Sequence, residues 1–236
     1  MALRVDSVVG SGLGLRVLSG LVLVPIALGL AYAGGAAFNL LVLLAAALMA
    51  DEWRRLCSVD ANASGAAHRR WLWLAAGAVY IAVPCIAIIW LRSDAAVGRQ
   101  AILWLFAVVW ATDIGAYFAG RGIGGPKLAP RISPAKTWAG LLGGMVCAAL
   151  VGAATALLLD LSRAVPLIVI SGLLAVVAQA GDLLESMVKR RFGVKDSGHL
   201  IPGHGGVLDR LDGLLTAAPA VAALTLVTGE GVLAWR

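Results

Sequence analysis

Residues 71–91 read WLWLAAGAVYIAVPCIAIIWL, an apolar run without a single charged side chain. A bilayer's hydrocarbon layer takes about 20 apolar residues of helix to cross, and this run has that length. Its apolar residues do not alternate with polar ones, as the strands of a membrane β-barrel must. In lipid a lone segment satisfies its backbone N–H and C=O groups only as a helix. Outward from it, six more apolar segments can be drawn, at roughly 17–33, 36–50, 101–119, 138–159, 165–182 and 211–235. The first two are short and joined by Gly34-Gly35, which predicts a tight helical hairpin. The second ends in Asp51-Glu52-Trp53-Arg54-Arg55, a charged and aromatic interface signature. Arg16 and Ala31-Tyr32-Ala33 imitate a signal peptide, but a second apolar segment follows at once and favours a retained first helix.

Composition agrees. Of 236 residues, 61% are apolar and 14% charged, and the mean hydropathy is +0.91. Soluble domains carry about 25% charged residues, so a soluble globular enzyme is excluded, and so is a disordered chain. The net charge of +6 reads as the basic loops of a membrane protein rather than as a nucleic-acid surface. Cys57, Cys85 and Cys147 show no C-x-x-C spacing, and Cys85 and Cys147 lie in apolar runs as packing residues. The expected fold is therefore all-α, a polytopic integral membrane helical bundle of about seven transmembrane helices. Residues 1–100 are expected to hold about three spans and residues 101–236 to form a second membrane unit that carries the functional residues, with cytoplasmic loops 120–137 and 186–209.

The basic residues orient the bundle. With a cytoplasmic N-terminus, Arg92, Arg99, Arg163 and Arg236 fall outside, and the other fifteen of the 19 Lys and Arg fall inside.

Charged groups at membrane depth cost several kcal/mol and default to functional hypotheses. Asp113 sits late in the fourth segment, Asp182 and Glu185 close the sixth, and Asp209 and Asp212 open the seventh. Each of the last two pairs is spaced i, i+3 and so shares a helical face. All five lie toward the cytoplasmic side. The plainer alternative makes them interfacial residues paired with Arg190 or Arg210.

The loop that follows is rich in anion-binding chemistry. Lys189, Arg190 and Lys195 can pair phosphate oxygens, and Gly203, Gly205 and Gly206 permit the positive φ from which backbone N–H nests are built. Carboxylates beside such a cradle suit Mg²⁺ held against a nucleotide triphosphate. In the other loop, Ser133-Pro134-Ala135-Lys136-Thr137-Trp138 sets two hydroxyls and an ammonium before a helix N-terminus. Ser133-Pro134 also reads as a capping signal and Trp138 as an interfacial anchor. Gly140 and Gly144 make a G-x-x-x-G face for close helix packing.

The run SMVKRRFGVKDSGHLIPGHGGVLDRLD, residues 186–212, resembles the signature of the phosphatidate cytidylyltransferases (CDP-diacylglycerol synthases). Asp113-x-x-x-Tyr117-x-x-Gly120 and Ser133-Pro134-x-Lys136-Thr137-Trp138 resemble that family as well, while Ala135 and Ala139 stand where many members have Lys and Glu. The resemblance implies a Mg²⁺-dependent reaction, with room for a second metal ion, of CTP with phosphatidic acid to give CDP-diacylglycerol and pyrophosphate. On that reading Asp182 and Asp209 bind metal, with Asp212 a further ligand or a support to the ligands. Lys189, Arg190 and Lys195 hold the CTP phosphates with help from the Gly203–Gly206 turn. His204 shuttles a proton, bonds a phosphate or braces the loop. Ser133, Lys136 and Thr137 contact the lipid headgroup or the triphosphate, and Ser186, Asp196, Arg210, Asp113 and Tyr117 complete the substrate-binding set. The implied setting is a bacterial-type inner membrane with the active site facing the cytoplasm, no nucleic acid, and a homodimer left open. A transporter would show repeated broken helices, and a CDP-alcohol phosphotransferase would show a D-G-x-x-A-R run; the chain has neither.

Overall fold

The computed structural model describes residues 12–58, 66–198, 200 and 205–234. Among them stand seven helices: α1 (Gly12–Ala33), α2 (Gly35–Leu56), α3 (Ala66–Ser93), α4 (Gly98–Gly122), α5 (Trp138–Leu158), α6 (Ala164–Arg191) and α7 (Leu208–Thr228). Six of the seven are long and apolar enough to cross a membrane, and α1 contributes a shorter apolar stretch, Leu18–Ala33. The protein is a multi-pass membrane protein. Large apolar side chains such as Leu40, Leu72, Val79, Ile86, Leu150 and Leu226 point outward, as lipid-facing positions do.

The break between α1 and α2 falls at the expected glycines, with φ of 71° at Gly34 and 63° at Gly35, conformations that side-chain-bearing residues resist. Arg92 of α3 donates to the carbonyls of Ala31 (2.7 Å) and Tyr32 (3.0 Å) and so closes the end of α1. Cys57 and Cys85 are buried, all three cysteines are free, and burial pushes the Cys57 thiol up from its ordinary pKa.

Lipid tails are as apolar as leucine, so close backbone approach through small residues takes over from hydrophobic burial in joining membrane helices. Here α5 buries Gly140, Gly144, Ala148, Gly152 and Ala156, one seam of small residues spaced by four. It packs on α4 along one side and α6 along the other, and α6 packs in turn on α7. The seam permits no larger residue. A Cβ on Gly140 would stand 2.9 Å from the Ala116 carbonyl, and one on Gly144 equally near that of Thr112.

Three elements depart from the expected boundaries. First, α6 continues past residue 182 to Arg191, so Ser186, Lys189 and Arg190 are helical rather than part of a loop that starts at 186. Val188 is buried one turn beyond Glu185 and keeps the helical face inside, and the helix stops where Gly193 takes φ of 70°. There Val194 N–H reaches the Lys189 carbonyl and Gly193 N–H that of Arg190, a Schellman stop. Second, α7 starts at Leu208 and ends at Thr228, short of residue 235, because Gly229 turns left-handed with φ of 74°.

Third, the 120–137 loop carries strands β1 (Lys127–Ala129) and β2 (Ser133–Thr137), antiparallel with Lys127 opposite Thr137 and Ala129 opposite Ser133. Apolar periodicity excludes strands only within the apolar runs; this polar hairpin lies outside them. Ser133-Pro134 therefore belongs to β2 and does not cap a helix. The cap of α5 is Thr137, whose hydroxyl accepts from Gly140 N–H at 3.0 Å.

Candidate active site

At one end of the bundle α4, β2, α5, α6 and α7 enclose a cavity of about 670 Å³. Glycines set its dimensions. A Cβ on Gly181 would lie 2.7 Å from the Asp212 carbonyl, so its absence lets α6 and α7 approach where Asp182 and Asp212 project. The Gly140 and Gly144 contacts do the same for α4 and α5, bringing Asp113 and Tyr117 opposite β2.

Two ammonium groups organise the lining. Lys136 Nζ stands 2.5 Å from Asp182 and donates to Gln179 Oε1 at 2.9 Å; the two charged side chains are 14% and 33% exposed. Lys189 Nζ lies 2.6 Å from Asp209 and 3.3 Å from Glu185, with side-chain exposures of 12% for Lys189 and 5% for Asp209. Asp182, Glu185 and Asp209 thus pair with these lysines, and Arg190 is turned instead to the Val194 carbonyl.

Asp209 is fully engaged. Beside Lys189 it accepts N–H groups from Ser197 (3.0 Å) and Gly206 (2.9 Å) on Oδ2. It ties the loop before α7 to the end of α6, and few of its lone pairs remain for a metal. Asp182 accepts the Ser186 hydroxyl at 3.2 Å and Asp212 the N–H of Gly213 at 2.7 Å, so each keeps acceptor capacity. Both carboxylate oxygens of Glu185 are buried without a hydrogen-bond partner.

Asp113, Tyr117, Lys136, Thr137, Asp182, Lys189, Asp196, Asp209, Arg210 and Asp212 all line the cavity. Ser133, Ser186, Arg190, Lys195, Gly205 and Gly206 are not among its lining residues, and Gly203 and His204 lie outside the described residues. The Thr137 hydroxyl is committed to its cap and the residue is 4% exposed. Sequence reasoning passed over Gln179, one turn before Asp182, and Arg121, one turn after Tyr117, both of which line the cavity.

Residues 62–228 match the cytidylyltransferase family. The chain belongs to this family. It is 53% identical over 146 residues to a protein of Brucella suis named phosphatidate cytidylyltransferase, an alignment covering 62% of this chain and 54% of that one. Relatives of the same name from Rickettsia bellii and Rickettsia typhi are 38% and 36% identical over 216 and 212 residues; the alignments cover 89% of both chains in the first case and 87% of this chain and 88% of the relative in the second. The chain thus spans about half the length of the Brucella relatives it matches and nearly all of the Rickettsia ones. The family match takes in every cavity residue from Asp113 to Asp212 and leaves α1 and α2 outside.

Proposed function

We propose that this chain is a phosphatidate cytidylyltransferase, an enzyme that converts CTP and phosphatidic acid to CDP-diacylglycerol and pyrophosphate. The observation that carries the reading is a cavity at the end of a membrane bundle in which lysines and an excess of carboxylates converge, in a chain whose relatives bear that name.

The phosphate monoester of phosphatidic acid is already anionic near neutral pH, its second pKa being about 6. It is the nucleophile, and it attacks the α-phosphorus of CTP in line with the departing pyrophosphate. No base has to remove a proton, which fits a cavity whose described lining shows acids and cations but no nucleophile–base pair. The task left to the protein is to hold two polyanions together in a fixed geometry. Lys136, Lys189 and Arg210 supply positive charge to the phosphates. Lys136 sits on a partly exposed pair, from which it can turn to a substrate oxygen, whereas Lys189 is held between two acids.

The donors fit a divalent cation. Asp113, Asp182, Asp196, Asp209 and Asp212 line the cavity and outnumber Arg121, Lys136, Lys189 and Arg210, while Glu185, buried beside Lys189 at 3.3 Å, takes no hydrogen bond on either oxygen. Among the described residues no group of three His, Cys, Asp or Glu side chains is set to hold a metal by itself. Mg²⁺ usually takes one or two carboxylates and completes its shell with water and substrate phosphates. Asp182 and Asp212 would hold it, with Asp209 the loop anchor rather than a ligand. Bound there, the cation would neutralise charge on the triphosphate and polarise its oxygens.

Within this reading residues 101–236 are the catalytic unit and 1–100 the accompanying membrane helices. The cavity opens to the cytoplasmic side of the cell membrane, as the distribution of basic residues supports. The test is to incubate purified protein with phosphatidic acid, Mg²⁺ and radiolabelled CTP and to follow label into the lipid phase. Transfer from CTP, silenced by EDTA and restored by Mg²⁺, is the expected result. Absence of transfer overturns the reaction, and transfer untouched by chelation overturns the metal.

A further inference from the structure

Glu52 lies on α2, is 5% exposed and is absent from the cavity lining. Its carboxylate nevertheless reaches the far end of the chain. Oε1 accepts the N–H of Val207 at 2.9 Å; Oε2 accepts the N–H of Leu208 at 2.9 Å and the hydroxyl of Ser197 at 3.2 Å. Val207 immediately precedes α7, and no side chain of its own caps that helix. The opening amides of α7 are therefore satisfied by a carboxylate 155 residues earlier in the chain. An anion is the favoured partner for such amides, which have no acceptor within their own helix.

The surrounding loop is shaped to admit this carboxylate. A Cβ on Gly206 would stand 2.7 Å from Glu52 Oε2, and one on Gly198 2.8 Å from Oε1. Both positions require glycine for room. The same segment is held from its other side by Asp209, which takes the N–H groups of Ser197 and Gly206. Ser197 thus gives its hydroxyl to one acid and its amide to the other. Asp209 in turn fixes Lys189, while Asp196 and Arg210, the neighbours of these contact residues, line the cavity. Nearby Asp51 is occupied by Arg54 and Arg55.

We propose that Glu52 is a positioning residue: from outside the segment that defines the family match, it sets the loop geometry that places the cations Lys189 and Arg210 against the nucleotide's phosphates. The inference rests on the reaction proposed above. Glutamine at this position keeps the shape but replaces one acceptor oxygen with a donor, which then faces a backbone N–H or the Ser197 hydroxyl. Aspartate keeps the charge on a shorter stem.

The test uses the full chain in detergent micelles, as Glu52→Gln and Glu52→Asp. Amide exchange is read by mass spectrometry on peptides covering 205–214 and, as a control, the 127–137 hairpin. CTP and phosphatidic acid are titrated separately. For Glu52→Gln, exchange at 205–208 should rise about tenfold or more, as expected for loss of a charge-assisted hydrogen bond, with the hairpin unchanged. KM for CTP should rise by a similar factor of about ten and KM for phosphatidic acid by less than about two, since only the nucleotide-side cations are displaced. Glu52→Asp should recover part of both effects. If Glu52→Gln does not fold, Ser197→Ala removes one of the three bonds and should shift both readouts the same way by about threefold. Unchanged exchange at 205–208 overturns the proposal, as do equal acceleration in the hairpin and equal rises in both KM values. A wild-type protein that transfers no label from CTP refutes the reaction and the positioning role with it. The exchange ratio separates that failure from the absence of a tether.

Discussion

Replacing Lys136 with methionine separates the chemistry of the cavity from the stability of the bundle. The side chain keeps an unbranched four-atom stem and loses its ammonium, and with it the 2.5 Å pair to Asp182 and the bond to Gln179. Asp182 is one-third exposed in this arrangement, so water can solvate it once the lysine is gone. Exposed ion pairs contribute about 0–1 kcal/mol; partial burial of Lys136 puts the cost near the top of that range, about 1 kcal/mol. In a chain of this size that lowers the melting temperature by roughly 2–4 °C. The catalytic cost is larger. Removing one preorganised group that stabilises developing charge typically lowers kcat about 10²–10³-fold, or roughly 3–4 kcal/mol. Lys136→Met should therefore melt almost like wild type and lose at least about a hundredfold of its label transfer from CTP to lipid. Turnover within about threefold of wild type would refute a role for this ammonium at the phosphates. A collapse of the melting transition in step with activity would show it to be a structural residue instead.

Two further predictions rest on neighbouring geometry. Asp209→Asn breaks a pair whose side chains are 5% and 12% exposed, and removing one member of such a pair costs about 3–5 kcal/mol; because Glu185 remains 3.3 Å from Lys189, the lower end, about 3 kcal/mol, is expected in a detergent melt. Wild-type melting would show that Asp209 does not anchor the loop. Gly144→Val places methyl groups where a Cβ alone would already meet the Thr112 carbonyl at 2.9 Å, so it should cost about 1–3 kcal/mol through separation of α4 from α5. Gly29→Val is the control, since nothing lies within 4 Å of its added Cβ; equal stability of the two variants would contradict the small-residue seam.

The chain's linear pattern made much of this legible. Unbroken apolar runs marked the helices because a membrane span is a local property, set by hydropathy over one stretch of chain. The i, i+3 acids of α6 and α7 could be placed on shared faces for the same reason. Boundaries were less legible where burial by another helix extended the pattern. Val188 and Glu185 are buried only because α6 packs against its neighbours, which carries the helix on to Arg191. The hairpin at 127–137 was hidden because its strands are short and polar, with no alternation to reveal them. Thr137 was recognised as a hydroxyl before a helix, but not as the hydroxyl already committed to capping it.

Residue order alone determined that this is a bundle of membrane helices with acids and basic loops gathered toward one face, since hydropathy and charge act where they stand in the chain. Tertiary structure decided which of those acids remain available. Asp209 is pinned by Lys189 and two amides, Asp182 is one-third open, Glu185 has the Lys189 ammonium at 3.3 Å but no hydrogen bond, and Glu52 caps a helix that begins 156 residues later. A carboxylate's lone pairs are shared out among whatever donors the fold brings within about 3 Å, and those donors come from helices that no local pattern connects.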